Sequence, residues 1–268
     1  MSESEPNDHE LPGYNWSLKK LRLWVKQVYQ CEVSRNTLRT ILQQENLSWK
    51  KCEKVLKKAN RKKRAAYIAE FQTRFQQVCD QKVILIYVDE SHFHRDMDLG
   101  FTWATRGKPA LRLSDCPPLS DRINWYGAYD FSRGQAFLWQ EGGCNSEKSI
   151  QFLQQLALWL EPLSCPVVII WDGAPWHRAK IVQEAATALG FTLLPLPGYS
   201  PDLNPIEGLW QWMRQEVTQN HCYQTMTELF DACKNFLSRI NAHPLQIISR
   251  LWPKFDLDPD LEKFLISN

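Results

Sequence analysis

The run Val83-Ile84-Leu85-Ile86-Tyr87-Val88 constrains the fold more than any other feature. Six β-favouring residues without polar alternation suit a central strand covered on both faces, and the run ends in Asp89-Glu90. Val167-Val168-Ile169-Ile170-Trp171 repeats the pattern and ends in Asp172. Between them, Phe101 to Thr105, Ile123 to Tyr129 and, after the turn signal Ser132-Arg133-Gly134, Gln135 to Gln140 read as strands, and Ile150 to Leu160 reads as a helix. A helix from about His177 to Leu189, a strand at Phe191 to Leu194, and helices near 205–219 and 224–241 complete the series. Strands in succession and then in alternation with helices predict an α/β body, a mixed β-sheet flanked by helices.

Charge is divided unevenly along the chain. Residues 1–80 hold 16 Lys and Arg against 9 Asp and Glu, a net of +7, and the remainder nets −5. A basic amino-terminal region on a mildly acidic body suits a segment that grips a polyanion. The first ten residues are polar and acidic, which predicts a disordered leader over residues 1–12. Leu18, Leu21, Val25 and Val28 then fall at helical spacing; after a short turn, Ser34 caps a second helix whose stripe is Leu38, Ile41 and Leu42. This is a helix-turn-helix pattern, with Arg35, Asn36 and Arg39 on the outer face as candidate DNA contacts. Lys50 to Arg64 carries nine basic residues against the single acid Glu53. Beside such a helix, Lys50, Lys51, Lys57, Lys58, Arg61, Lys62, Lys63 and Arg64 are expected to meet phosphates, with strongly salt-dependent binding. The chain therefore divides into the leader, a small all-α helix-turn-helix domain with its basic linker at 13–66, and a body at 67–268 entered through a helix at Tyr67 to Cys79.

Several classes are excluded. No apolar run approaches the roughly 18 residues of a spanning helix, and the acidic amino end is unlike a signal peptide, so a soluble, cytoplasmic protein with no membrane partner is expected. The eight cysteines are scattered, without a zinc-knuckle spacing. No Walker A loop, dinucleotide fingerprint or G-x-S-x-G elbow is present.

The chemistry lies in the acids. Asp89 and Asp172 each close a buried strand, and if those strands are parallel neighbours the two carboxylates converge at the edge where α/β sheets place ligands. Singly, an Asp after a strand is commonly a turn residue. Glu207 is the third acid. With Asn204 as N-cap and Pro205 at the first helical position, it falls at N3, where it either closes a capping box or, beside the stripe Ile206, Trp210, Met213 and Val217, faces the sheet edge. Three carboxylates about 5 Å apart, at an effective dielectric near 20, repel by on the order of 3 kcal/mol per pair, so the cluster needs protonation or a cation. An all-oxygen set suits Mg²⁺ or Mn²⁺. Two such ions about 4 Å apart activate a water or hydroxyl and stabilise the leaving oxygen of a phosphodiester, the chemistry of a nuclease or strand-transfer site. Glu90, His177 and Asn204 stand beside these acids as candidate supports.

The segments Tyr87-Val-Asp-Glu-Ser91, Trp171-Asp-Gly-Ala-Pro-Trp-His177 and Ser200-Pro-Asp-Leu-Asn-Pro-Ile-Glu207 resemble the three acidic motifs of the Tc/mariner superfamily of DDE transposases, in its bacterial insertion-sequence branch. The 34 residues between Asp172 and Glu207 match that superfamily's spacing, and Leu47-Ser-Trp-Lys-Lys51 after the helix-turn-helix resembles its DNA-binding region. The resemblance implies an RNase H-like catalytic domain and metal-dependent cut-and-paste transposition. Acids matching Asp89, Asp172 and Glu207 hold two metal ions, the element's terminal inverted repeats are nicked, and the freed 3′-hydroxyl attacks a TA target, commonly within a homodimer. His177 matches a histidine common after the second acid, which orients a phosphate or water or is simply a buried structural residue. The resemblance also implies a bacterial, nucleoid-associated location. Two departures stand out: one helix-turn-helix is visible where the family usually has two, which points to a shortened or split frame, and Gly173 stands where many relatives have Asn.

His92, His94 and His177 form a weaker, zinc-binding alternative, disfavoured because the acids already make a hard-metal set. Trp103, Trp125 and Trp171 are expected to pack in strands, and Trp176 and Trp210, flanking the acids, are candidates to line a DNA channel. Two other functions compete: a catalytically silent DNA-binding regulator and a non-transposing RNase H-like nuclease.

Overall fold

The computed structural model describes residues 4–50, 59–140, 142–161 and 165–258. The chain divides into two compact units, residues 1–54 and 55–268. The expected DNA contacts Lys51, Lys57 and Lys58 lie outside the described residues.

In the first unit, α1 (Leu18–Tyr29) is capped by Ser17 and α2 (Arg35–Gln44) by Ser34, whose hydroxyl accepts the Thr37 amide at 3.0 Å. Only Leu21 and Leu38 of these two helices are buried; Val28 and Ile41, expected in the stripes, are exposed. Two short helices meet along one line, and a side chain a turn away from that line has nothing to pack on. The leader is not disordered over its described part. Glu5 and Asp8 cap a short 3₁₀ turn at Pro6–His9, Leu11 is buried, and the His9 ring lies 5.7 Å from Trp16 and 5.5 Å from Trp24. Aromatic packing supplies the order that an acidic composition alone does not suggest.

In the second unit, α3 (Arg61–Cys79) begins within the basic run, six residues earlier than expected, with Asn60 as its cap. Five strands come after it: β1 (Ile84–His94), β2 (Arg122–Asp130), β3 (Gln135–Gln140), β4 (Val167–Trp171) and β5 (Phe191–Pro195). Their order is β3-β2-β1-β4-β5, the first three antiparallel and β1-β4-β5 parallel. This is the expected mixed sheet. Helices α4 (Ser146–Leu160) and α5 (Lys180–Ala188) cover one face, packing Phe152, Leu156 and Val182 onto Ile84, Ile86 and Val88. On the other face α3, α6 (Ile206–Met213), α7 (Met226–Asn241) and α8 (Pro244–Arg250) pack onto Leu85, Tyr87, Val168 and Ile170. Two corrections concern β1 and the segment after it. The strand does not end at Asp89 but runs on to His94 against β2, because only its β4 neighbour stops. Phe101 to Thr105 is not a strand: it pairs with none of the five strands, and Phe101 and Trp103 are fully exposed.

Among the described residues no helix is long and apolar enough to cross a membrane.

Candidate active site

Strand parity brings the first two acids together. Residues two apart on a strand share a face. Asp89 therefore continues the line of Leu85 and Tyr87, and Asp172 that of Val168 and Ile170, onto the face that carries α6. The parallel register pairs Tyr87 with Ile170, so two residues further on Asp89 stands level with Asp172. Beyond Trp171 the chain leaves the sheet, and β1 loses its neighbour on that side at the level of Asp89.

Glu207 arrives from the Pro-rich loop. Pro201–Leu203 forms a 3₁₀ turn, and the α6 helix after it has no side-chain cap, so the capping box anticipated for Asn204 and Glu207 does not form. Asn204 is buried instead, and its side-chain amide donates to the Val88 carbonyl at 3.3 Å, next to Asp89. Free of a capping role, Glu207 opens with Asp89, Asp172 and Asn204 onto one cavity of about 550 Å³.

The acids feel one another. Burial holds the Asp89 carboxyl well above its ordinary range, and the charges of Glu207 and Glu90 add to this. Burial also raises Glu207, with Arg214 opposing and Asp172 reinforcing the rise. A set of like charges lining one cavity is the site a hard cation stabilises. The donor chemistry suits such an ion, carboxylate oxygens with the buried Asn204 side-chain oxygen, which has no hydrogen-bond partner, beside them; the three acids line the one cavity without all standing within a single ion's reach of one another.

Asp172 is held from behind. Its Oδ1 accepts the Ala174 amide at 3.1 Å and lies 2.5 Å from His177 Nδ1, whose Nε2 lies 2.7 Å from Glu90 Oε1. The imidazole is buried, with its centroid 3.7 Å from that of Trp171. Burial works against its charge, but the hydrogen bonds to Asp172 and Glu90 prevail and push His177 up to about 9, so an imidazolium donates to both carboxylates. For Asp172 too, burial is outweighed by the His177 and Ala174 hydrogen bonds, and its carboxyl falls below the usual range. Glu90, Asp172 and His177 are the one group of metal-competent side chains within a single ion's reach among the described residues; His92 and His94 face each other outside it. A folded-state value above that of the unfolded chain stabilises below the ordinary histidine value of about 6.5, and the effect is lost as pH rises through about 9. Metal-free protein is therefore expected to lose up to roughly 3 kcal/mol between pH 6 and 10. Urea unfolding across that range checks this, with His177→Asn removing the dependence.

Arg64, expected to grip DNA, does something else. It is 1% exposed and pairs in bidentate fashion with Asp202 of the Pro-rich loop at 2.9 and 3.0 Å. Its place one turn into α3 points it inward, whereas Arg61, Lys62 and Lys63 are exposed. Arg35, Asn36, Arg39 and Lys50 are exposed in the first unit. Arg214, which the sequence does not assign, and Trp210, expected to line a DNA channel, both stand beside the acids. Arg214, immediately after α6, donates to Ser91 Oγ at 2.9 Å and to the His92 carbonyl at 2.8 Å. Trp210 is buried and donates its indole N–H to Asp89 Oδ2 at 2.9 Å, so it lines no open channel. The space at Gly173 is open, so the Asn of relatives would fit there.

Comparison with known proteins agrees with this geometry. Residues 84–230, which contain all three acids and more than half of the chain, match the family described as DDE superfamily endonuclease. The chain belongs to the DDE endonuclease superfamily. Residues 12–71 match a winged helix-turn-helix family. A curated relative of this DDE protein, the insertion element IS630 uncharacterized 39 kDa protein of Shigella sonnei, is 21% identical over 245 residues, 91% of this chain and 70% of that one. The uncharacterized protein y4pE/y4sA of Sinorhizobium fredii is 26% identical over 106 residues, 40% of this chain and 76% of that one. Among solved structures, the Mos1 strand transfer complex and the Mos1 mariner paired end complex with Mn each align at TM-score 0.64 and 17% identity, over 96% of this chain and 79% of theirs. At that identity the likeness is one of fold, and it bears out the RNase H-like sheet; the resemblance of the motifs is borne out by the family match and the insertion-element relative. The DDE superfamily is metal-dependent, and Mos1 paired end complexes are known with Mn and with Mg.

Proposed function

We propose that the chain is a DNA transposase that excises a mobile element and joins its 3′ ends to a TA-containing target by a cut-and-paste route. One observation carries this function: three carboxylates from separate elements open onto one cavity, where burial and mutual repulsion raise two of them. Asp89, Asp172 and Glu207 would hold two Mg²⁺ ions, with Mn²⁺ as a substitute. Such ions supply an acidified water or 3′-hydroxyl as nucleophile and offset charge on the leaving oxygen. The chain's own residues keep the ligands in place. His177, backed by Glu90, fixes Asp172, and Asn204 ties the Glu207 loop to β1. Arg35, Asn36 and Arg39 on α2 would read double-stranded DNA, with Lys50, Arg61, Lys62 and Lys63 on its phosphates. Assembly as a homodimer would pair the terminal inverted repeats on nucleoid DNA in a bacterial cytoplasm. The insertion-element relative and the strand-transfer and paired-end states named for Mos1 support this reading.

The test is a reaction of the full chain with labelled element ends and a plasmid target. Expected are nicks at the element ends and joined products at TA, present with Mg²⁺ or Mn²⁺ and lost on chelation. Hydrolysis without joining on any target would leave a plain nuclease, and binding without cleavage would leave a silent regulator.

A further inference from the structure

Gly127 lies in the middle of β2, where a glycine forgoes packing and commonly marks the close approach of another group. That group is Trp210. A Cβ built on Gly127 would lie 2.5 Å from Trp210 Cη2 and 2.6 Å from Cζ2, closer than any side chain tolerates. Gly127 is also the register partner of Asp89 across the β1–β2 pair. The missing side chain opposite the acid is therefore the slot in which the indole sits. Phe93, with its ring centroid 6.2 Å away, and Ile206 flank the same slot. From it the indole N–H reaches Asp89 Oδ2 at 2.9 Å. Trp210 and Glu207 lie three residues apart on α6, a spacing that puts two side chains on one helical face. One helix thus carries an acid of the site and the donor that holds another.

We propose that Trp210 is a positioning residue for Asp89, with Gly127 as the slot that admits it: the indole occupies Oδ2, so that Asp89 offers its other oxygen, in one fixed orientation, to a divalent cation in the cavity. A tryptophan suits the task because its N–H is a donor only, and the rigid ring, buried on every side, cannot swing away. The arrangement matches that of Asp172, one of whose oxygens is likewise engaged from behind, by His177 and Ala174. This inference rests on Asp89 being a metal ligand, and the experiment separates the two.

Mn²⁺ binding to the full chain without DNA, monitored by the electron paramagnetic resonance signal of the free ion, is compared for wild type, Trp210→Phe, Gly127→Ala, the double variant and Asp89→Asn. Trp210→Phe and Gly127→Ala are each expected to weaken binding about tenfold, the range seen when an outer partner of a ligand is removed. The double variant is expected to be no weaker than the worse single, because both changes break one contact. In wild type labelled with 5-fluorotryptophan, the fluorine resonance of Trp210, identified by its loss in Trp210→Phe, is expected to shift when Mg²⁺ is added. Wild-type affinity in Trp210→Phe alongside lost affinity in Asp89→Asn would overturn the positioning role and leave the ligand standing. So would losses that add in the double variant, or a Trp210 resonance indifferent to Mg²⁺. Undiminished binding by Asp89→Asn would overturn the ligand assignment itself.

Discussion

Asp172→Ala is expected to abolish metal-dependent DNA cleavage in a protein that still folds. Asp172 stands on the cavity side of β4, with its side chain half exposed, so its loss opens no hole in the core. His177 keeps Glu90 as a partner, which limits the structural cost. The chemical cost is large. A ligand's contribution to charge stabilisation in the transition state is worth several kcal/mol, so a fall in rate of about a thousandfold or more is expected. Asp172→Asn sharpens the test. The amide oxygen still accepts from His177 and from the Ala174 amide, so the local hydrogen bonds survive while the negative charge is gone. Equal loss of cleavage in both variants, with unfolding midpoints near that of wild type, assigns the effect to charge at the ion site. Cleavage at the wild-type rate in either variant would remove Asp172 from the site.

How much of this is legible in the sequence depends on whether a feature is local. The apolar runs at 83–88 and 167–171 specify central strands because only a sheet covered on both faces buries such stretches, and β4 takes the expected bounds. Which residues meet is a matter of register, and no local pattern carries that. The level placement of Asp89 and Asp172 depends on Tyr87 pairing with Ile170, two segments more than eighty residues apart. The errors have the same origin. Phe101 to Thr105 has β-favouring residues but joins none of the five strands, so its rings stay in solvent. Arg64 sits in a run of cations that composition reads as one surface, yet helical phase turns this one residue inward to a carboxylate 138 positions away. Gly127 offered one signal that could have been used: a glycine inside an otherwise apolar strand implies a neighbour at close range. The identity of that neighbour, Trp210, required the fold.

Asp202→Ala is expected to destabilise the second unit by about 3 kcal/mol, since it removes the bidentate carboxylate partner of a buried guanidinium. Arg64 is the buried member of this pair, with 2% of its side chain exposed; Asp202 is 30% exposed, which keeps the figure at the low end of such losses. Burial alone would raise the Asp202 carboxyl. The bidentate hydrogen bond with Arg64, and the charges of Arg64 and Lys254, outweigh it and hold the group below the ordinary carboxylate range. A depressed folded-state value gives stability that is complete above the unfolded carboxyl value near 4 and disappears as pH falls through the folded one. The gap between wild type and Asp202→Ala in urea unfolding should therefore be widest near neutrality and narrow below pH 4. Arg64→Lys should recover only part of the stability, because a single ammonium cannot reproduce the two parallel bonds of the guanidinium. The consequence reaches the active site as well. Asp202 lies in the 3₁₀ turn two residues before Asn204 and five before Glu207, so freeing the turn loosens the segment that presents the third acid. Divalent-ion affinity should fall along with stability in Asp202→Ala, even though Asp202 is not itself one of the three acids. A variant that loses stability but binds Mn²⁺ like wild type would show that the Arg64–Asp202 clamp holds the fold together without orienting Glu207.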